Sequence, residues 1–334
     1  MCCMPTLTVF TPTYNRAHTL PRVYESLCRQ TVRDFLWLVI DDGSIDDTRA
    51  LVRHWQAEAD FRIDYGYQPN RGKHNAHNAA VARATTELFC ILDSDDELLP
   101  HAVERITGAW KNATAEERAR IAGIWTLCAD PIGNVIDGGF DKEVFDASLQ
   151  ELRYRERMNK ELLPTFVTRV LREHPFPETP AGVCPYVPEA YVWTRITRSR
   201  PLRFLNVPCR VYHRGDGLTA QARNEYRVSR CIVFGYLAPL ANDLEWFWAY
   251  PQLFLMSATQ AARHAIFSGA FWLSWRRLQP FARALLLAAA PVALGLLLRD
   301  RLSGRIAREL AADEPGARAE PVAIAAVAGR ERQP

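Results

Sequence analysis

The chain has 334 residues, 48% of them hydrophobic and 24% charged, with a formal net charge of +3. This length and composition suit one large or two moderate domains with a substantial core, and exclude a disordered chain, a collagen-like repeat and a small disulfide scaffold. A charge so close to balance also speaks against wholesale phosphate binding, so no nucleic-acid partner is expected.

In chain order, Leu7 to Phe10 reads as a short strand ended by Thr11-Pro12, followed by a helix over 20–29. Phe35 to Ile40 is a continuous apolar run, the pattern of a strand covered on both faces. A helix begins near Thr48, with Leu51, Trp55 and Ala59 on one face at i, i+4 and i+8. Then come a strand over 63–67, a helix over 72–84, a strand over 88–92 and a helix beginning near Leu98. Strands separated by helices of this length predict βαβ units in a mainly parallel sheet, with ligands bound beyond the carboxyl ends of the strands. The polar clusters 11–16, 41–47 and 93–96 lie at those ends. Residues 121–128 read as a further strand, and Pro175, Pro177, Pro180, Pro185 and Pro188 break up a loop region. From about Tyr226 the chain turns helical, apolar and Arg-rich, and 311–334 lacks periodicity and reads as a disordered tail.

The eight cysteines form no Cys-x-x-Cys pair, so neither a zinc ribbon nor a thioredoxin motif is written, and a reduced cytosolic compartment is expected. The start of the chain has no basic region followed by a longer apolar stretch, so no signal peptide is expected. Only four of the 41 basic residues are Lys (Lys73, Lys111, Lys142 and Lys160).

Four segments occur in order: Phe10-Thr11-Pro12-Thr13-Tyr14-Asn15-Arg16, Ile40-Asp41-Asp42-Gly43-Ser44-Ile45-Asp46-Asp47-Thr48, Asn70-Arg71-Gly72-Lys73-His74-Asn75-Ala76-His77-Asn78, and Ile91-Leu92-Asp93-Ser94-Asp95-Asp96. Together this set resembles family 2 glycosyltransferases of the GT-A fold, and the likeness continues more loosely to about Thr219. The resemblance implies a Rossmann-like α/β domain that binds a nucleotide-sugar donor. The chemistry of the residues agrees. Asp42 at a strand end can accept from a uracil N–H, and Tyr14 can supply a ring face. Thr11 and Arg16, with Pro12 and Asn15 in the same run, can hold ribose or phosphate. Taken alone, Asp41-Asp42-Gly43-Ser44 would be a turn capping the next helix. Arg71 and Lys73 follow a strand and open a helix, a place where backbone N–H groups and two cations suit a diphosphate. A solvated basic turn is the plainer alternative, and His77 and Asn78 can serve only to pack that helix.

Asp93, Asp95 and Asp96, with Ser94 among them, follow a fully apolar strand. Three carboxylates in four residues repel one another unless a cation sits among them, and Mg²⁺ or Mn²⁺ would also bridge to an anionic diphosphate. The family's Asp-x-Asp motif implies Asp95 as a metal ligand and Asp93 as a ribose or metal contact, while Asp96 can instead cap the following helix. Family members of this type usually invert the sugar centre, with a carboxylate as base. That base often comes from a Glu-Asp doublet before a Trp-bearing helix. Pro188-Glu189-Ala190-Tyr191-Val192-Trp193 resembles this segment with Ala190 in the second place, leaving Glu189 as the candidate base. Processive members carry Gln-x-x-Arg-Trp. No Arg-Trp dipeptide occurs here, so transfer of a single sugar is expected. Residues 212–218 read as a loop over the donor phosphates, with His213 as a further metal ligand.

Residues 284–298 carry no charge, contain Pro291 and are flanked by Arg, with Trp272 and Trp275 just before them. This pattern predicts a helix lying in a membrane surface; a buried or dimer-forming helix and a true span are the alternatives. The expected organisation is therefore a GT-A domain over 1–225, a helical segment over 226–310 and a tail over 311–334. The expected activity is metal-dependent, inverting transfer of one sugar, from a UDP-sugar, to a cell-envelope, saccharide or lipid-linked acceptor. The enzyme would sit peripherally on the cytoplasmic face of the membrane and could form a homodimer. A nucleotidyltransferase and a non-catalytic scaffold that has kept the fold are the competing readings. The first would want a Gly-rich loop after the first strand, and 11–16 has no Gly.

Overall fold

The computed structural model describes residues 4–179, 184–213, 226 and 228–311. Strands β1 (Leu7–Thr13), β2 (Phe35–Asp41), β3 (Ile63–Tyr67) and β4 (Leu88–Ile91) are parallel, in the order β3-β2-β1-β4, with Thr13 beside Asp41 and Phe10 beside Ile91. Every residue of β1 and β2 is buried, because helices cover both faces of the sheet. On one face, Tyr24 of α1 (Leu20–Cys28) and Trp55 of α2 (Thr48–Glu58) stack with ring centroids 4.6 Å apart over Trp37. The other face is covered by α3 (Lys73–Arg83).

The sheet continues through β9 (Thr165–Val167), which runs antiparallel between β4 and β6 (Gly123–Ala129), and then to β10 (Leu202–Val211), parallel to β6. Gly123 permits this close packing, since a Cβ there would stand 2.2 Å from the Thr165 carbonyl oxygen. Short antiparallel strands β5 (Glu97–Leu98) and β7 (Val144–Ala147) pair with β10, and β8 (Leu162–Leu163) pairs with β6. The helix expected from Leu98 begins later, as α4 (Ala102–Asn112). Residues 97–98 are instead recruited by the end of β10, so Asp96 caps no helix. Helices α5 (Ala115–Arg120) and α6 (Thr168–Glu173) complete this part.

Helix α7 (Ala190–Thr197) leads to a helical layer: α8 (Ser229–Asn242), α9 (Pro251–Phe267), α10 (Phe271–Arg276), α11 (Pro280–Leu302) and α12 (Arg305–Ala311). In this layer α8 packs on α7, α9 on α8 and α11 on α9. Small side chains make the last contact close: Ala258, Ala261 and Ala265 of α9 and Ala282, Ala289 and Ala293 of α11 are all buried. Pro291 does not break α11. Residues 312–334, where a disordered tail was expected, lie outside the described residues. Cys184 and Cys231 form a disulfide with Cα atoms 5.4 Å apart, joining the segment before α7 to α8; sequence spacing alone pointed to reduced cysteines throughout.

Candidate donor and acceptor site

The site lies at the carboxyl ends of β1, β2 and β4 and the start of α3. The loops after β1 and β2 are stitched together by Asn15. Its amide N–H donates to Ser44 Oγ (2.8 Å), and its Oδ1 accepts from the Ile45 N–H (2.9 Å). Asn15 has φ +52°, a region Asn tolerates better than most residues. Tyr14 beside it is 47% exposed, so its ring face is open to a base. Thr11 does not reach the site: it is fully buried and its Oγ1 accepts from Trp37 Nε1 at 3.0 Å. The next residue, Pro12, is also buried.

Asp41 is spent on the loop, accepting from the Ser44 N–H and from Tyr65 Oη, each at 2.7 Å. Asp42 braces the next loop. Its Oδ1 accepts from Gln68 Nε2 (2.6 Å) and the Arg71 N–H (2.9 Å), and its Oδ2 from the Gly72 N–H (2.7 Å). Gly72 has φ +91°, and a Cβ there would stand 2.4 Å from the Cys184 carbonyl oxygen, so only Gly fits between the donor-side turn and the acceptor-side segment. The Lys73 N–H closes the same contact by donating to the Pro185 carbonyl (2.9 Å).

Arg71 and Lys73 part company. The Arg71 guanidinium faces Glu178 at 3.8 Å. Lys73 Nζ lies 2.7 Å from Asp93 Oδ1 and 3.0 Å from Glu189 Oε1. Burial disfavours the Lys73 charge, but the two carboxylates outweigh it and raise its pKa above the usual value. Glu189 precedes α7, and its Oε2 accepts from Trp193 Nε1 one turn later at 3.2 Å. The bridge therefore joins the strand-end acidic cluster to the candidate base.

Asp93, Asp95 and Asp96 bring carboxylate oxygens within 4.8 Å of one another, and Ser94 between them is buried. Burial works against the Asp93 charge, yet Lys73 holds its pKa below the ordinary carboxylate value. Asp95 is pushed up by burial and by the Asp93 charge, with Arg16 opposing. Burial pushes Asp96 up to about 7, although Arg210 Nη1 lies 3.5 Å from its Oδ2. That Oδ2 atom is buried and accepts no hydrogen bond among the described residues. Crowded carboxylates, two of them pushed toward protonation and one with an unsatisfied oxygen, fit a divalent cation that prefers oxygen ligands. His213 is not directed at the cluster: its Nε2 pairs with Glu97 Oε1 (2.8 Å), and only its backbone N–H reaches Asp96 Oδ1 (3.0 Å). The loop expected over 212–218 leaves the described residues after His213.

The partners of the polar side chains on α3 escaped sequence reasoning, because they lie about a hundred residues away along the chain. Asn78 clips residue Phe176 at both ends, with Nδ2 donating to its carbonyl (2.9 Å) and Oδ1 accepting from its N–H (3.0 Å). His74 Nε2 bonds Thr179 Oγ1 at 2.7 Å. His77 is caged by Phe10, Phe89, Phe176 and Trp193, and burial pushes its pKa down to about 3, so it stays neutral. The polar side chains of α3 thus hold the segment that leads to Glu189. The only trace in the sequence is the density of His and Asn over 74–78.

Residues 8–116 match Glycosyl transferase family 2. An uncharacterized glycosyltransferase of Nostoc sp. is 31% identical over 159 residues, 48% of this chain and 46% of its own length, so the chain spans about half of that relative. The GalNAc(5)-diNAcBac-PP-undecaprenol beta-1,3-glucosyltransferase of Campylobacter jejuni is 29% identical over 254 residues, 72% of this chain and 75% of its own. Among solved structures, S. aureus TarS 1–349 in complex with UDP superposes with a TM-score of 0.54 at 16% identity, covering 89% of this chain and 91% of that one. The mannosyltransferase PcManGT from Pyrobaculum calidifontis, in complex with GDP-Man and Mn²⁺, gives 0.52 at 18% identity, covering 94% and 89%. At these identities the likeness is one of fold, and the fold is the GT-A type expected from the motifs.

Proposed function

We propose that the chain, whose residues 8–116 match Glycosyl transferase family 2, transfers a single sugar, with inversion, from a UDP-sugar to a saccharide or lipid-linked acceptor of the cell envelope. The reading rests on one observation: Lys73 joins Asp93 to Glu189, which sets the candidate base beside the strand-end cluster where a donor diphosphate would lie. It draws support from the UDP complex of TarS and from the GalNAc(5)-diNAcBac-PP-undecaprenol beta-1,3-glucosyltransferase among its relatives.

In the proposed reaction, the Glu189 carboxylate takes the proton of the acceptor hydroxyl. The acceptor oxygen attacks the anomeric carbon in line, and the bond from that carbon to the diphosphate oxygen breaks, releasing UDP. Tyr14 faces the base and Asp42 accepts from its ring N–H, keeping the Arg71–Gly72 turn in place meanwhile. Arg16 and Lys73 attract the diphosphate. Asp95 and Asp93 would hold a Mg²⁺ or Mn²⁺ ion, which when bound offsets the charge of the leaving diphosphate. His213 would join them only by leaving Glu97. The chain would work on the cytoplasmic face of the membrane.

Calorimetric titration with UDP, with and without Mn²⁺, tests this reading. Binding should need Mn²⁺, and Asp95→Ala should abolish the metal-dependent part while leaving the melting temperature nearly unchanged. Equal UDP binding in excess chelator would refute the metal-dependent reading.

A further inference from the structure

Helix α11 has two unlike faces. Leu286, Ala289 and Ala293 are buried toward the protein, whereas Leu287, Val292, Leu294 and Leu298 on the opposite side are 49–58% exposed. Where α11 begins, Trp272 is 69% exposed and Trp248 is 83% exposed. Trp248 belongs to that end because its ring packs on Phe247, which in turn packs on Phe281. Trp272 belongs there because it packs on Trp275, whose carbonyl accepts from Arg283 Nε at 3.2 Å. An apolar face of this extent is a contact surface waiting for an occupant.

Charge decides which occupant. Residues 251–311 contain eight Arg and no Lys against Asp300 and Glu309 alone. Arg276, Arg277, Arg299 and Arg301 are exposed at the two ends of the apolar face. A second copy docked face to face would set cation against cation, whereas an anionic lipid surface complements both the apolar stripe and its basic ends. We propose that the outer face of α11, with Trp248 and Trp272, lies in the headgroup layer of an anionic bilayer, and that the helix rests on the membrane without crossing it.

A crossing is opposed by the anchor at the far end of α11. Asp300 is 2% exposed and accepts from Arg263 of α9 and from Tyr226 Oη, and Arg299 Nε donates to it at 3.1 Å. To span a bilayer, α11 would have to pull this carboxylate away from α9 and strip Ala282, Ala289 and Ala293 of their partners. The membrane layer is also connected to the site. Helix α9 packs on α8, and Asn242 of α8 donates to the Tyr191 carbonyl (3.1 Å) and to Thr194 Oγ1 (2.9 Å) of α7, the helix that Glu189 opens. Resting on the transferase reading above, this connection sets the Glu189 side of the site against the membrane-facing helical layer.

The test is co-sedimentation of the full chain with vesicles of phosphatidylcholine, with and without phosphatidylglycerol, at low and high salt. The chain should bind phosphatidylglycerol vesicles at least about tenfold more tightly than neutral ones, and high salt should release part of it. Leu294→Glu with Leu298→Glu should cut binding at least about tenfold. Arg276→Gln with Arg301→Gln, which alters exposed charge alone, should weaken binding by roughly fivefold per Arg. Both variants should keep the wild-type melting temperature and Mn²⁺-dependent UDP binding. Equal vesicle binding by wild type and both variants would overturn the proposal. So would a dimer that the Leu variant dissolves without any vesicle binding, or membrane retention that only detergent reverses. Loss of UDP binding in every chain, with vesicle binding intact, would instead reject the transferase reading and leave the lipid contact standing.

Discussion

Lys73 Nζ stands 3.0 Å from Glu189 Oε1 while it also pairs with Asp93 at 2.7 Å, so one ammonium group couples the two halves of the site. Both carboxylates thus share one cation. The bridge depends on the Gly72 turn, which brings the start of α3 against the Cys184–Pro185 backbone.

Lys73→Met should therefore disturb donor and acceptor steps together. Removing one partner from such a set leaves the others undercompensated, at about 1–3 kcal/mol. UDP affinity and turnover should both fall, and Lys73→Arg should restore part of each. Calorimetry and steady-state rates on the same preparations measure the two effects. A Met variant that loses turnover alone would show that Lys73 serves only the base.

Glu189→Gln keeps the shape of the side chain and its capacity to accept from Trp193 Nε1, but it cannot take up a proton. Turnover should drop about 10²–10⁴-fold. UDP binding should change by less than about threefold, since Glu189 reaches the donor side only through Lys73. The two quantities are read from initial rates and from UDP titration.

The acidic cluster makes cation binding pH-dependent. Asp96 is held up to about 7 and Asp95 is also raised, so part of the cluster carries protons at neutral pH. A cation must displace those protons. Affinity for Mn²⁺ with UDP should rise as the pH climbs toward about 7 and level off above it, with proton release on binding. Titrations in buffers of different ionisation enthalpy detect that release. A pH-independent affinity would show that Asp95 and Asp96 are already ionised.

Asn78→Ala removes both bonds to Phe176 and leaves a buried backbone N–H and carbonyl without partners, at about 1–3 kcal/mol each. The melting temperature should fall. The KM for acceptor should rise and turnover drop, whereas UDP affinity should hold, because Asn78 acts on the segment that carries Glu189. Asn78→Asp restores the acceptor atom alone, so it should recover at most part of the stability.

Much of the fold was legible because its signals are local. The apolar runs of β1, β2 and β4 specify their own period, and burial on both faces of the sheet follows from that, whereas of the stripe expected on α2 only Trp55 is fully buried, beside Thr48 and Val52. The strand-end positions of Asp42 and Asp93 were equally plain, since a carboxylate cluster after an apolar run can only sit where the strand stops. Leu98 shows the limit: its own neighbours favour a helix, yet pairing with Arg210 more than a hundred residues away draws it into β5.

By itself, then, the sequence determined the order of the first four strands with the helices between them, and the residue types gathered at the strand ends. Each of these depends on neighbours a few positions apart. The tertiary structure decided how those residues divide the work. Thr11 is turned inward to Trp37, Asp42 to the backbone of Arg71 and Gly72, and His213 to Glu97. Lys73 lies between Asp93 and Glu189 rather than in an open basic turn. These assignments turn on contacts of two to four ångströms between distant segments, and no spacing along the chain encodes such distances until the sheet, α3 and α7 are packed together.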